Sequence, residues 1–181
     1  MNLSEKQLKT EYAYKGRIIS LRTDTAILPD GNTAQREVVE HPGGVGVIAL
    51  TDEGEILMVK QYRYPYSEIT LEIPAGKRDK GEDVFTTGKR ELKEETGATA
   101  KTYIPLGQLY PTPGYCDEII WIYAAKDLEF YESQPDSDEF LECEKVPMKK
   151  AVEMVMNNEI KDAKTVIAIL KLKNLLDSGD F

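Results

Sequence analysis

Within the stretch Gly76 to Ala98, GKRDKGEDVFTTGKRELKEETGA, stand Glu82, Arg90, Glu91, Glu94 and Glu95. So much acid in one place needs a reason. At about 100° per residue on a helix, Glu91 and Glu95 fall together and Glu94 lies one step round. Like charges at i and i+4 repel by a few tenths of a kcal/mol in water, and by more when partly desolvated. A divalent cation turns that repulsion into ligation. Carboxylate oxygens without a cluster of His or Cys suit Mg²⁺ or Mn²⁺, and Mg²⁺ commonly completes its shell with water and substrate phosphates. The implied substrate is a phosphate ester or anhydride. The plainer alternative is a solvated, salt-bridged helix face, as most charge runs are.

The helix that must carry these acids is predicted over Val84 to Thr96, with Asp83 as N-cap and Gly97 as a left-handed C-cap. Val84, Phe85 and Leu92 define its buried side. Gly88 permits close approach to whatever lies beneath, at a cost of roughly 1 kcal/mol relative to alanine. Leu71-Glu72-Ile73-Pro74-Ala75 leads into the acidic loop, and the Ala75 carbonyl is well placed as an extra metal ligand. Before it, Gln61-Tyr62-Arg63-Tyr64-Pro65-Tyr66 offers an arginine that could fork onto a phosphate and tyrosines that could stack on a base. Surface packing at a strand end is the other reading.

Around this centre the chain alternates strands and turns. Residues 3 to 10 are mixed, a frayed strand or short helix. Tyr12 to Leu28 is strand-like, Pro29-Asp30-Gly31-Asn32 is a turn, and a second β-rich run includes Val38 and Val39. An N-terminal antiparallel sheet follows, with His41-Pro42-Gly43-Gly44 as the passage to the main domain. Val45 to Leu50 and Ile56 to Gln61 read as buried hairpin partners. Lys101 to Tyr110 and Glu118 to Ala125 are further strands, with Trp121 read as core. Phe130 to Asp138 is polar and expected to be mobile. Glu139 to Val146 reads as a strand, with Cys143 as a small apolar member. Pro147 opens one helix, and Asp162 caps a last one with a broad apolar stripe, both read as packing elements.

With 181 residues, 41% hydrophobic and 30% charged, one catalytic domain is expected, with room for an accessory element. The division falls at 1-43 and 44-181. A net charge of -9 argues against a general binder of nucleic acid or anionic membrane. No run approaches a membrane span and the N-terminus lacks a signal-peptide core, which leaves a cytoplasmic location by default. Cys116 and Cys143 have no metal spacing and read as reduced thiols.

Gly76, Glu82, Arg90, Glu91, Leu92, Glu94, Glu95 and Gly97 match in register the signature that the Nudix hydrolases carry, so the chain resembles that family. Only Ala98 departs, being small where a larger aliphatic is usual. The resemblance implies an α/β/α sandwich on a mixed sheet. Within the family the chain looks most like the ADP-ribose pyrophosphatases, through its N-terminal strand extension, the LEIPAGK lead-in and Pro113. That likeness implies Mg²⁺-dependent hydrolysis of ADP-ribose to AMP and ribose 5-phosphate. Glu91, Glu95 and the Ala75 carbonyl would hold the principal Mg²⁺ ions, Glu94 would assist a further metal, and Glu82 would shape the loop or bind metal through water. Arg90 would orient the acids by ion pairing. Glu139 is the candidate general base, with Asp138 and Glu142 beside it. Arg36, Arg63 and Glu72 would serve the substrate, and a homodimer would form through the N-terminal sheet. Hydrolysis of another nucleotide sugar or an oxidised nucleotide is the alternative, and a non-catalytic ADP-ribose sensor is the alternative of a different class.

Overall fold

The computed structural model describes residues 2–134 and 140–181. They form two units, Met1–Gly43 with Tyr110–Ile119, and Gly44–Leu109 with Ile120–Phe181. The segment 110–119 packs with the first of these units. Its backbone explains why: Val39 N donates to Tyr115 O at 2.7 Å and Asp117 N donates to Val39 O at 3.0 Å.

The first unit carries the antiparallel sheet β1 (Lys6–Lys15), β2 (Ser20–Ile27) and β3 (Thr33–Glu40), in that order. The mixed segment near the N-terminus is therefore strand. The run from Tyr12 to Leu28 is two strands, because the chain reverses at Gly16, whose N–H donates to Ile19 O at 2.9 Å. The next reversal is the expected one, with Gly31 at φ 87° and Asp30 Oδ1 accepting from Asn32 N at 3.0 Å. β1 is exposed along its whole length.

The second unit contains β4 (Gly44–Ala49), β5 (Glu55–Arg63), β6 (Glu68–Glu72), β7 (Ala75–Lys77), α1 (Val84–Thr96), β8 (Ala98–Leu109), β9 (Ile120–Phe130), β10 (Leu141–Pro147), α2 (Met148–Met156) and α3 (Ala163–Ser178). One sheet runs β7-β4-β9-β8 and the other β10-β5-β6. β4 lies parallel to β9 and antiparallel to β7, so the larger sheet is mixed. β4 and β5 are not hairpin partners. Only the bridge Leu50↔Ile56 joins their ends, and the two strands then enter different sheets. β4 and the Ile56–Val59 part of β5 are buried on both faces, which is why each read as a continuous apolar run rather than an alternating one.

The core follows the strand alternation. Val47 and Ala49 pack with Leu57, Leu92, Ala98 and Ala125 beneath α1. Ile48 packs with Ile122, Ala124 and the α3 residues Ala168, Ile169 and Leu172 on the other side. Helices on the two faces of a mixed sheet make the α/β/α layering expected from the resemblance. Each buried Val, Leu or Ile in this core contributes roughly 1.5–3 kcal/mol. Ala98 is fully buried among these residues, so its small size is absorbed in the packing behind α1. Trp121 is half-buried, with the Arg78 guanidinium 5.1 Å from its ring centroid, and Cys143 is exposed. Among the described residues no helix is long and apolar enough to cross a membrane.

Candidate active site

The acids of the signature are placed by a helix whose ends and inner face are both determined locally. Asp83 caps it, accepting from Phe85 N and Thr86 N at 3.1 Å, and Gly97 closes it at φ 70° with its N–H on Lys93 O. Gly88 lies against β4: a Cβ there would stand 3.0 Å from Val45 Cγ1 and 3.2 Å from Val47 Cγ2. That close approach brings Thr87, Gly88, Glu91, Leu92 and Glu95 to the buried face. Phe85, read from the sequence as buried, is instead 39% exposed and packs edge-on against Tyr103, because Thr87 takes the inner position.

Glu91 and Glu95 are only 7% and 2% exposed. Buried carboxylates one turn apart are costly without compensating donors or cations. Glu95 Oε2 accepts from Ala75 N at 2.9 Å, which ties the helix to the strand β7. Glu91 reaches so close to the loop that a Cβ on Gly76 would lie 2.0 Å from its carboxyl atoms. Gly76 is therefore the residue that leaves room for this carboxylate.

Arg90 stands among the remaining acids. Its Nε and Nη2 donate to Glu82 Oε1 and Oε2, each at 3.1 Å, and its Nη1 lies 2.8 Å from both Glu94 Oε2 and Glu91 Oε1. Glu82 also accepts from Thr87 Oγ1 at 2.8 Å and Asp79 N at 3.3 Å. The Arg90 hydrogen bonds, helped by Thr87 and Asp79, hold the Glu82 carboxyl at about 2, against the opposing effect of its partial burial. The same contacts with Glu82 raise the Arg90 pKa further. Among the described residues no three of His, Cys, Asp or Glu converge into a metal cage, since the acids are spread around Arg90. The donors of the inner pair are nonetheless oxygen alone, two carboxylates beside a glycine-opened backbone, which is the donor type that a hard divalent cation takes.

A second cluster lies at the end of β6. Glu72, 2% exposed, accepts from Arg63 Nε at 2.7 Å and Nη2 at 2.6 Å, from Thr70 Oγ1 at 2.6 Å, and from Lys164 Nζ. Burial alone would raise its pKa, but the hydrogen bonds and charges of Arg63 and Lys164 outweigh that and hold the carboxyl at about 2. Arg63, considered for a phosphate, thus has one edge forked onto Glu72 and the rest of its guanidinium outside that fork. Lys164, Asp162 and Thr165 were not singled out for the site from the sequence. A lysine in the first turn of the last helix, two residues after its cap and ahead of the apolar run Val166–Leu170, is the signal that could have found them.

The structure brings Glu82, Arg90, Glu91, Glu94, Glu95 and Ala75 together, and separately pairs Arg63 with Glu72. Arg36 stands on β3 in the first unit, where its Nε and Nη2 fork onto Glu5 at 2.9 and 2.6 Å. Glu142 is on β10, and Asp138 and Glu139 lie outside the described residues.

Residues 40–168 match the model of the NUDIX domain, and residues 5–39 match that of the nucleoside diphosphate sugar hydrolase N-terminal domain. The chain is 43% identical over 181 residues to the ADP-ribose pyrophosphatase of Bacillus subtilis (strain 168), covering 98% of each. It is 44% identical over 171 residues to the methanol dehydrogenase activator of Bacillus methanolicus, covering 93% of this chain and 92% of that one. Among solved structures, an ADP compounds hydrolase superposes with a TM-score of 0.86 at 22% identity over 99% of this chain and 98% of that one, a likeness of fold. The matched domain spans well over half of the chain and contains every acid gathered around α1, and the protein belongs to the NUDIX family.

Proposed function

We propose that the protein hydrolyses the diphosphate bond of ADP-ribose to AMP and ribose 5-phosphate, with a divalent cation, preferentially Mg²⁺ with Mn²⁺ as a substitute. The observation that carries this reading is the pair Glu91 and Glu95, two buried carboxylates one helical turn apart on a NUDIX signature helix. The substrate comes from the Bacillus subtilis relative, which is named for ADP-ribose. In this reading the Glu91 and Glu95 carboxylates and the Ala75 carbonyl would hold the principal cations, Glu94 would serve a further one, and Glu82 would shape the loop or join through water. A bound divalent cation would offset the diphosphate charge and lower the pKa of the attacking water. Arg90 keeps the acids oriented. Arg63, braced by Glu72, and Arg36 bind the substrate, and Glu139 accepts the proton from water. Water oxygen bonds to one phosphorus as the bridging P–O bond breaks, so each product leaves with one phosphate.

Ten consecutive exposed residues of β1, at the edge of its sheet and including Leu8, Tyr12 and Tyr14, support a homodimer built through that sheet. Light scattering checks this, and a 20.4 kDa species would contradict it. The activity is tested by product analysis with Mg²⁺ and matched concentrations of ADP-ribose, a GDP-sugar, a dinucleoside polyphosphate and an oxidised dGTP. Preferential release of AMP and ribose 5-phosphate is expected. Preference for another compound would keep the chemistry and overturn the substrate, while turnover of none would favour a sensor. Because a relative of similar identity is named for activating methanol dehydrogenase, adding such a dehydrogenase is an informative further arm.

A further inference from the structure

We propose that Lys164 is a positioning residue for substrate binding: by holding the buried Glu72 carboxylate, it sets the guanidinium of Arg63 to receive an anionic diphosphate. The inference rests on the diphosphatase reading above. Lys164 has a side chain only 9% exposed, and its ammonium lies between Glu72 and Asp162, 3.0 Å from Asp162 Oδ2. Glu72 in turn receives both Nε and Nη2 of Arg63, the fork that fixes the plane of a guanidinium. Arg63 remains 38% exposed, so the part of its guanidinium outside the fork is open to a solvent-borne anion.

Stability alone is poorly served by this arrangement. Desolvation of buried charges cancels much of their mutual attraction, and a wholly apolar set of side chains of similar volume often stabilises as well. What an apolar side chain lacks is charge. Glu72 and Asp162 face Arg63 and Lys164, so these four charges cancel, with the Glu95 carboxylate also acting on Arg63. Without Lys164 the cluster carries one excess negative charge, which pulls the guanidinium inward and repels an approaching diphosphate. The same turn of α3 fixes the next residue as well, since Thr165 Oγ1 accepts from Ile73 N at 2.9 Å. Glu72, the last residue of β6, and Ile73 just after it are therefore both held from one helix turn.

The test is steady-state hydrolysis of ADP-ribose and, in parallel, of a GDP-sugar at saturating Mg²⁺ by wild type, Lys164→Met, Lys164→Gln and Lys164→Arg. Lys164→Met and Lys164→Gln are each expected to raise KM by about tenfold with kcat changed less than about threefold. Lys164→Arg, which keeps the charge, should recover most of the lost affinity. Lys164→Gln keeps a donor and carries the prediction should Lys164→Met fail to fold. An unchanged KM in the folded neutral variants overturns the assignment, as does a loss in Lys164→Arg equal to theirs. So does a parallel fall of kcat and Tm at constant KM, which would mark a purely structural role. Wild type that cleaves neither compound overturns the functional reading and this assignment together, an outcome distinct from active wild type with an indifferent Lys164.

Discussion

The two charged clusters of the second unit are built from the same residue types and differ in balance. Around Arg90 stand Glu82, Glu91 and Glu94, with Glu95 buried alongside, so acid outnumbers base. Around Glu72 stand Arg63, Lys164 and Asp162, and the charges cancel. An excess of buried negative charge is a standing demand for cations, whereas a balanced and fully hydrogen-bonded cluster holds shape. In the proposed function the first would take a metal, while the second keeps a side chain in one pose.

The sharpest way to break this contrast is Glu95→Gln. It removes a charge from the unbalanced cluster and relieves repulsion there, so activity should fall by roughly a thousandfold while thermal unfolding is unchanged or rises. An equal treatment of the balanced cluster should do the reverse. Glu72→Gln leaves Arg63 and Lys164 without their shared carboxylate and should cost roughly 3 kcal/mol at neutral pH by denaturant titration. The pH dependence has a definite sign. The folded Glu72 carboxyl sits at about 2, below its ordinary 4.5. Its stabilisation is therefore fully present above pH 4.5 and is lost as pH falls towards 2, so the wild-type advantage over Glu72→Gln should shrink through that window. Gly76→Ala places a methyl where the Glu91 carboxyl now lies, and should weaken divalent-cation affinity by about tenfold in calorimetry with little change in Tm. The smallest effect is expected at the cap: Asp83→Ala should cost about 1 kcal/mol and leave cation affinity alone.

The signature helix was legible because its determinants are local. Asp83, Gly88 and Gly97 fix ends and approach within the segment itself, and the spacing of Glu91 and Glu95 puts both on one face. Most strands were legible, but the short β6 and β7 were not, and neither were the strands' partners. A continuous apolar run such as Val45–Ala49 says that both faces are buried, and not that its neighbour is β9 rather than β5. Gly16 hid a reversal inside a β-rich run because one glycine is a weak turn signal without Asn, Asp or Pro beside it. The Glu72 cluster was legible only in part. Glu72 and Lys164 are far apart in sequence, and periodicity on α3 marked its apolar stripe, leaving the one buried ammonium in its first turn unread.

In the proposed reaction the unbalanced cluster is the cation site, and AMP release from ADP-ribose across a Mg²⁺ titration, run side by side on wild type and Glu95→Gln, puts that to the test. Saturable, chelator-sensitive release by wild type, lost in a folded Glu95→Gln, is the expected result. Release by Glu95→Gln with wild-type rate and unchanged Mg²⁺ dependence would contradict it.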